Sequence, residues 1–298
     1  MITKHSEITG HAGAIYSCTA NNNFLFTVGA DKIVAMWDLS SQKQLSFGIK
    51  LDASAYSIKI LNDSILAIGL SNGNLHLVDF KEKKELKFFK QHKSAIFSIE
   101  PNLSRNHFYV GDADGFLSVW KLDTLTLEMI LPLNCGKIRS ISSSKNGGDI
   151  VLACQNEEVK VFETEFYNEI FSKKQHKEGV TAVIFHPNNN DVIISGGKDA
   201  YIKVFNWRSN VKITEFPAHN FAIYDLITAQ ADTVLVSASR DKSIKVWRLD
   251  NFEFLEKVER KQGGHSHSIN DLEFINESEI VSVGDDKRII TWSLNELI

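Results

Sequence analysis

Hydrophobic and polar positions alternate in short runs along the chain, and no segment shows sustained helical periodicity. Seven of these runs end in an aromatic or large apolar residue, which we call the anchor: Trp37, Val78, Trp120, Phe162, Phe205, Trp247 and Trp292. Successive anchors lie 41, 42, 42, 43, 42 and 45 residues apart. Because alternation with a period of two is typical of β-strands, the pattern predicts seven consecutive repeats built from strands.

Each repeat also has a turn residue, Asp or Asn, six positions before its anchor: Asp31, Asn72, Asp114, Asn156, Asp199, Asp241 and Asp286. Residues of this kind close tight turns between strands. Each unit therefore divides into an apolar strand, a second apolar strand, the anchor strand and a more polar outer strand. Four-stranded units of this period are typical of propeller blades. We predict an all-β chain in which residues 1–298 form a single seven-bladed β-propeller of four-stranded antiparallel blades.

The first and last repeats contain two recognisable dipeptide pairs. Gly10-His11 is followed by Trp37-Asp38, and Gly264-His265 by Trp292-Ser293. These pairs resemble the Gly-His to Trp-Asp pattern of the WD-repeat family, and through the repeats the resemblance covers the whole chain. It implies a protein that binds other proteins as a scaffold and catalyses no reaction.

Sets of His, hydroxyl, Asp and Trp recur at one spacing. The three complete sets are His11, Thr27, Asp31 and Trp37, then His219, Ser237, Asp241 and Trp247, and then His265, Ser282, Asp286 and Trp292. A fourth, His176, Ser195 and Asp199, has Phe205 as its anchor. A Ser/His/Asp set can be a catalytic triad. Repetition favours a structural brace instead, with the hydroxyl between an indole and an imidazole, and in the WD-repeat family this tetrad is structural. We predict no catalytic residue.

Other chemical motifs do not hold. Gly196–Asp199 resembles a phosphate loop, but position 199 is Asp where Ser or Thr is required. Cys18, Cys135 and Cys154 share no metal-ligand spacing and lie in or beside apolar runs, which predicts reduced core residues. No metal and no cofactor is expected.

Residues 1–7 carry no apolar signal segment, and no run of 18 apolar residues exists, so we expect no membrane partner and a cytoplasmic location.

In WD-repeat proteins, partners most often bind the top face, which consists of the loops that enter the innermost strands and of the Asp turns. By this resemblance, the partner-binding residues are expected to be Tyr16, Tyr56, Phe97, Arg139, Lys198, Tyr224 and Arg240. Aromatic and arginine side chains dominate binding energies at interfaces. The predicted partner is a protein or peptide that is acidic and has an apolar anchor.

Three alternatives stay open. The aromatic residues could plug the central channel as packing, or the chain could be an architectural subunit that partners bind at its sides. A nucleic-acid reader would use the same cations, but a net charge of −4 gives no global attraction to nucleic acid.

The N-terminal segment is expected to complete the last blade. Only 295–298 remain after the last anchor strand, too few for a good outer strand, while Ile2 to Ile8 precede the first inner strand without a blade of their own. We therefore predict that Ile2 to Ile8 pair with Arg288 to Trp292, so that the N-terminal strand closes the ring.

Overall fold

The computed structural model of the chain describes residues 2–21, 24–229 and 231–295. Their strands form seven four-stranded antiparallel sheets. The fold is the predicted seven-bladed β-propeller, and each sheet is one blade.

The strands, numbered in chain order, have the following bounds. Blade 1 contains β2 (Ile15–Ala20), β3 (Phe24–Gly29), β4 (Ile33–Asp38) and β5 (Lys43–Lys50). Blade 2 contains β6 (Ala55–Ile60), β7 (Ile65–Leu70), β8 (Leu75–Asp79) and β9 (Lys84–Phe89). Blade 3 contains β10 (Ile96–Asn102), β11 (His107–Asp112), β12 (Phe116–Lys121) and β13 (Thr126–Pro132). Blade 4 contains β14 (Ile138–Ser143), β15 (Asp149–Cys154), β16 (Glu158–Glu163) and β17 (Glu169–Lys174).

The remaining blades follow the same order. Blade 5 contains β18 (Val180–His186), β19 (Asn189–Gly197), β20 (Tyr201–Asn206) and β21 (Val211–Pro217). Blade 6 contains β22 (Ile223–Ala229), β23 (Val234–Ser239), β24 (Ile244–Arg248) and β25 (Phe254–Val258). Blade 7 contains β26 (Ile269–Asn276), β27 (Glu279–Gly284), β28 (Arg288–Leu294) and, as its outer strand, β1 (Ile2–Thr9).

The chain divides into two compact units. Unit 1 is Met1–Ala55 together with Ala218–Ile298 and holds blades 1, 6 and 7. Unit 2 is Tyr56–Pro217 and holds blades 2 to 5, apart from Ala55 at the start of β6.

The core lies between the inner three strands of neighbouring blades within each unit. In blade 4, every residue of β15 is buried, whereas most of the outer strand β17 is exposed. This difference follows from the sequence, because β15 is almost wholly apolar and β17 carries Glu and Lys. The six aromatic anchors are all buried, with exposed fractions of 0 to 5%. The aromatic anchors thus belong to the core.

The N-terminal strand completes blade 7. The register of β1 against β28 runs from Ile2 opposite Leu294 to Thr9 opposite Arg288, with a bulge between Lys4 and Ser6. This confirms the predicted pairing. Of the C-terminal residues 295–298, which are too few for a good outer strand, 296–298 lie outside the described residues.

Helix is confined to two three-residue 3-10 turns, Leu103–Arg105 and Arg260–Gln262, in the part of the chain that the structure describes. No helix there is long and apolar enough to cross a membrane.

Candidate functional site

The residues predicted to bind partners occupy a special position in the innermost strands. The strand register shifts between the neighbours of Phe97 in β10 and between the neighbours of Arg139 in β14. The same shift occurs at Tyr16 in β2 and at Tyr224 in β22. A β-bulge leaves one residue out of the ladder and changes the direction of its side chain. The shift also occurs at Thr181 in β18 and at Asn270 in β26, so the bulge is a repeated feature near the start of the inner strands.

In unit 2, four side chains form what we call the Phe97 cluster: Tyr56, Phe97, Lys137 and Arg139. The rings of Tyr56 and Phe97 are stacked, with centroids 5.1 Å apart and planes at 22°. Lys137 Nζ lies 5.2 Å, and Arg139 Cζ 4.7 Å, from the centroid of the Phe97 ring. All four residues are half-buried. Cations at this distance from an aromatic face are attracted by the ring, so the cluster presents aromatic surface and positive charge together.

The remaining predicted residues belong to blades 1, 5 and 6. Lys198 is exposed in the turn between β19 and β20, and Tyr16 and Tyr224 are half-buried in unit 1. Arg240 is exposed in the turn after β23, where its guanidinium carbon lies 5.8 Å from the ring centroid of Phe221. Phe221 is 56% exposed. Phe221 could not be predicted from the sequence, because it precedes the inner strand β22 and has no place in the strand pattern.

The structure brings the members of each predicted tetrad together. In blade 6, His219 Nδ1 is 3.0 Å from Asp241 Oδ2, and His219 Nε2 is 2.8 Å from Ser237 Oγ. Trp247 Nε1 donates to the same Ser237 Oγ at 3.0 Å. In blade 1, the distances from histidine to aspartate, from histidine to hydroxyl and from indole to hydroxyl are 2.8, 2.7 and 2.7 Å. They are 2.7, 2.8 and 2.8 Å in blade 7.

Blade 5 has the same arrangement without the indole. His176 Nδ1 is 2.8 Å from Asp199 Oδ1, and His176 Nε2 is 2.9 Å from Ser195 Oγ. The anchor there is Phe205, which has no donor.

Burial and pairing decide the charge states in these sets. Burial lowers the pKa of His219. Burial raises the pKa of Asp241, but the hydrogen bonds from His219, Ser243 and the backbone of Asn220 outweigh this effect and hold the pKa of that carboxyl well below its usual range. A neutral imidazole that donates from Nδ1 to a carboxylate and accepts at Nε2 from the hydroxyl satisfies all these groups. Ser237 and Ser282 are 0% exposed, so each hydroxyl is enclosed by its partners.

Blade 3 contains a further tetrad, which the spacing of the other sets does not predict. His92 Nδ1 is 2.8 Å from Asp112 Oδ2, His92 Nε2 is 2.8 Å from Ser118 Oγ, and Trp120 Nε1 donates to Ser118 Oγ at 2.7 Å. The carboxylate is therefore Asp112 and not the turn residue Asp114. The second oxygen of Asp112 accepts the backbone N–H of Asp114 at 3.0 Å.

The hydroxyl of this tetrad has moved to the neighbouring strand. Ser118 lies on β12, directly opposite Val110 of β11. In blade 1 the hydroxyl residue is Thr27 on β3, and its opposite neighbour is Ala35 on β4. Opposite residues of an antiparallel pair point to the same side of the sheet, so either strand can place the oxygen between the histidine and the anchor.

The spacing between the histidine and the anchor identifies the blade 3 histidine in the sequence. His92 precedes Trp120 by 28 residues, and His219 precedes Trp247 by the same number. A search that begins from this spacing would find the blade 3 histidine.

Blade 4 has two buried cysteines and a lysine where blade 3 has its tetrad. Cys135 and Cys154 are both fully buried in one apolar cluster, and they are free. Interaction with Cys154 lowers the pKa of the Cys135 thiol. Nearby, Lys160 Nζ lies 2.9 Å from Glu169 Oε2 and 3.2 Å from Glu158 Oε2. The prediction that the cysteines are reduced core residues agrees with this arrangement.

The repeats match a known family. The model for "WD domain, G-beta repeat" matches residues 3–38, 83–121, 168–206 and 210–248, together about half of the chain. Each match ends one residue after an anchor, at blades 1, 3, 5 and 6.

Several curated proteins are similar to the chain. It is 26% identical over 259 residues to the kinesin-like protein KIF21B of Mus musculus, an alignment that covers 85% of this chain and 14% of that protein. It is 29% identical over 128 residues to nuclear distribution protein nudF 1 of Talaromyces marneffei, with 42% of this chain and 27% of that protein covered. It is 22% identical over 247 residues to the 66 kDa stress protein of Physarum polycephalum, with 82% and 40% covered.

The chain thus spans less than half of the length of each of these relatives. The four family matches end one residue after the buried anchors of blades 1, 3, 5 and 6, and each of these blades is a four-stranded sheet. The chain therefore belongs to the WD-repeat family.

Proposed function

We propose that this chain is a non-catalytic protein-interaction module that binds an acidic segment of a partner protein through the Phe97 cluster. The observation that carries the proposal is the Phe97 ring itself, which is stacked on Tyr56 and has the cations of Lys137 and Arg139 within 5.2 Å of its centroid. An apolar side chain of the partner can contact the rings, while its carboxylates meet the cations. Aromatic and arginine residues are the usual sources of binding energy at such surfaces.

Small residues lie beside the cluster. Ala95 precedes the inner strand β10 and accepts at its carbonyl a hydrogen bond from the backbone N–H of Ala113, at 2.9 Å. Both alanines are half-buried. Ala95 is two residues from Phe97 in the chain, and we infer that a side chain of the partner would use the room beside these short side chains.

The family supports a binding role. In the kinesin-like relative, the matched region is 14% of the protein, so there the repeats are one part of a longer chain. A role as a module that holds a partner fits this arrangement. Catalysis by the Ser/His/Asp sets is disfavoured, because the hydroxyl groups of Ser237 and Ser282 are enclosed and a substrate could not reach them.

The test uses two single variants, Phe97→Ala and Arg139→Ala, and a defined probe. The probe is an array of synthetic peptides that combine several Asp or Glu residues with one Leu, Phe or Trp, followed by fluorescence anisotropy on the peptides that bind. We expect Phe97→Ala to weaken binding by about tenfold or more, the loss typical of a central aromatic contact. We expect its melting temperature to stay close to that of the unchanged protein. Phe166→Ala is the matched control, because Phe166 is 72% exposed in the turn between β16 and β17 of the same unit.

Each alternative predicts a different result. A lower melting temperature with intact peptide binding in Phe97→Ala would mean that the aromatic residues are packing. Capture of the same partners by Phe97→Ala and by the unchanged protein would favour an architectural subunit bound elsewhere. A single-stranded oligonucleotide that binds with a steep dependence on salt would favour a nucleic-acid reader.

A further inference from the structure

Two cysteines of blade 4 occupy the positions that hold the tetrad in blade 3. In blade 3, Asp112 is the last residue of β11 and pairs with Ile96, the first residue of the innermost strand β10. In blade 4, Cys154 is the last residue of β15 and pairs with Ile138, the first residue of β14. Cys135 lies in the loop that enters β14, as the tetrad histidine lies in the loop that enters β10. A thiol pair therefore stands where blade 3 has its histidine and its carboxylate.

Backbone hydrogen bonds hold the two cysteines on adjoining segments. The N–H of Gln155, which follows Cys154, donates to the carbonyl of Lys137 at 2.9 Å. The N–H of Asn156 donates to the carbonyl of Cys135 at 3.1 Å. Both cysteines are 0% exposed and belong to one apolar cluster, and their thiols are hydrogen-bonded to each other. Two sulfur atoms placed in this way can be joined with little movement of the backbone.

The surroundings favour Cys135 as the thiol that reacts. Lys160 of β16 takes the place of the tetrad serine of blade 3. Burial lowers the pKa of Lys160, but Glu169 and Glu158 outweigh this effect and raise it, so the ammonium keeps its charge. The hydrogen bond from Cys154 and the charge of Lys160 outweigh burial and lower the pKa of the Cys135 thiol. The hydrogen bond to Cys135 raises the pKa of Cys154 well above its usual value. Because the thiolate is the form that attacks an oxidant, Cys135 is the nucleophile of the pair.

We propose that Cys135 and Cys154 form a reversible disulfide when the protein meets a peroxide, and that this bond braces blade 4 as hydrogen-bonded sets brace blades 3 and 5. The Cys135 sulfur attacks one oxygen of hydrogen peroxide, and the O–O bond breaks. The other oxygen leaves as water with the proton of the thiol, and Cys135 becomes a sulfenic acid. The sulfur of Cys154 then attacks that of Cys135, and the S–O bond breaks. The hydroxide leaves as a second water with the proton of Cys154. The thiols lose two electrons, which the peroxide gains.

A short opening of the loop before β14 admits the oxidant. Cys135 lies between Asn134, which is exposed, and Gly136, which is half-buried. Hydrogen peroxide is nearly as small as water, and loops open at a lower free energy than the strands of the core. Because both thiols are buried in the closed state, we expect the reaction to take on the order of hours.

The bond is expected to stabilise the folded chain. It closes a loop over residues 135–154, which contains β14 and β15. Such a cross-link removes conformations from the unfolded chain. Lys137 and Arg139 of the Phe97 cluster follow Cys135 by two and four positions, so the bond also fixes the segment that carries these cations. Its formation does not depend on the partner that the cluster binds.

The test treats the full chain with hydrogen peroxide and counts its free thiols. The protein is then unfolded in an alkylating reagent, and its mass and its proteolytic peptides are measured by mass spectrometry. We expect the number of free thiols to fall from three to one, with a peptide that links Cys135 to Cys154. Reduction with dithiothreitol should restore all three. Cys18→Ser is the matched control, because Cys18 is a buried cysteine of blade 1, and this variant should form the same link.

Two further variants separate the roles of the pair. Cys154→Ser leaves Cys135 without its resolving thiol, so we expect peroxide to give a sulfenic acid at Cys135 that dimedone traps. Cys135→Ser should leave Cys154 unlabelled. The melting temperature of the unchanged protein should rise by at least about 3 °C on oxidation. That of Cys135→Ser should not rise under the same treatment.

Three results would overturn the proposal. The first is a folded protein that keeps all three thiols after the treatment. The second is a disulfide that forms only in denaturant or that includes Cys18. The third is a melting temperature that oxidation leaves unchanged, or raises equally in Cys135→Ser. If the variants at the pair do not fold, the linked peptide of the unchanged protein and of Cys18→Ser decides the question.

Discussion

Deletion of residues 1–9 will lower the free energy of unfolding by roughly 4 kcal/mol or more, because it removes the outer strand of blade 7 together with two buried side chains. Ile2 and Ile8 are each 5% exposed. Ile2 packs in the cluster that contains Trp292 and Leu294. Ser6 Oγ is buried and lies 2.7 Å from Thr291 Oγ1. The deletion removes the isoleucine that packs with Trp292 and Leu294 and the hydroxyl that contacts Thr291. It also exposes β28 as an unpaired edge.

Denaturant unfolding monitored by tryptophan fluorescence measures this loss. His5→Ala is the control, because His5 lies at the bulge of β1 and its side chain is 52% exposed. We expect that variant to unfold close to the unchanged protein. A second check adds a synthetic peptide of residues 1–9 to the truncated chain, and part of the stability should return. Equal unfolding midpoints for the truncated and unchanged chains would show that β1 contributes nothing to blade 7.

The blade repeat could be predicted because its signals are local in the chain. An anchor such as Trp120, a turn residue six positions earlier and the alternation between them depend only on neighbours in sequence. The pairing of β1 with β28 could also be predicted, since β1 precedes the first blade and the last blade has no other segment for its outer strand. These features require no knowledge of how one blade packs on the next.

The Phe97 cluster depends on packing between blades, and only part of it could be predicted. Phe97 and Arg139 stand at equivalent positions in successive repeats, which the alignment of the repeats reveals. The bulges at both positions, and the approach of Lys137 to the Phe97 ring, depend on the register of the strands and on the neighbouring blade. Asp225 on β22 and Asp271 on β26 are likewise at equivalent positions, but the backbone N–H of Leu272, which donates to both carboxyl groups, is visible only in three dimensions.

The tetrad of blade 3 shows why a fixed spacing fails. The physical requirement is an oxygen between the imidazole and the indole, and a carboxylate at the other ring nitrogen. Blade 1 meets it with a hydroxyl on β3, whereas blade 3 meets it with Ser118 on β12 and with Asp112 at the end of β11. A search for Ser or Thr ten residues before the anchor finds Val110 in blade 3 and stops there.

If positions 110 and 118 are equivalent carriers of the hydroxyl, the hydroxyl of blade 3 can be moved from β12 to β11. Ser118→Ala alone leaves His92 Nε2 and Trp120 Nε1 without their buried partner, and we expect it to cost about 1–3 kcal/mol of unfolding free energy. The double variant Val110→Thr/Ser118→Ala recreates the pair that blade 1 has in Thr27 and Ala35. Its threonine oxygen lies on the same side of the sheet as the lost serine oxygen. We expect the double variant to recover about 1 kcal/mol or more relative to Ser118→Ala.

Two measurements check the transfer. Denaturant unfolding gives the free energies, and hydrogen exchange of the Trp120 indole N–H reports the bond itself, with protection in the unchanged protein, loss in Ser118→Ala and return in the double variant. Ser104→Ala is the control, because Ser104 is exposed in the same blade. A double variant no more stable than Ser118→Ala, with an unprotected indole, would mean that the strand carrying the hydroxyl matters, and that the tetrad of blade 3 is not interchangeable with that of blade 1.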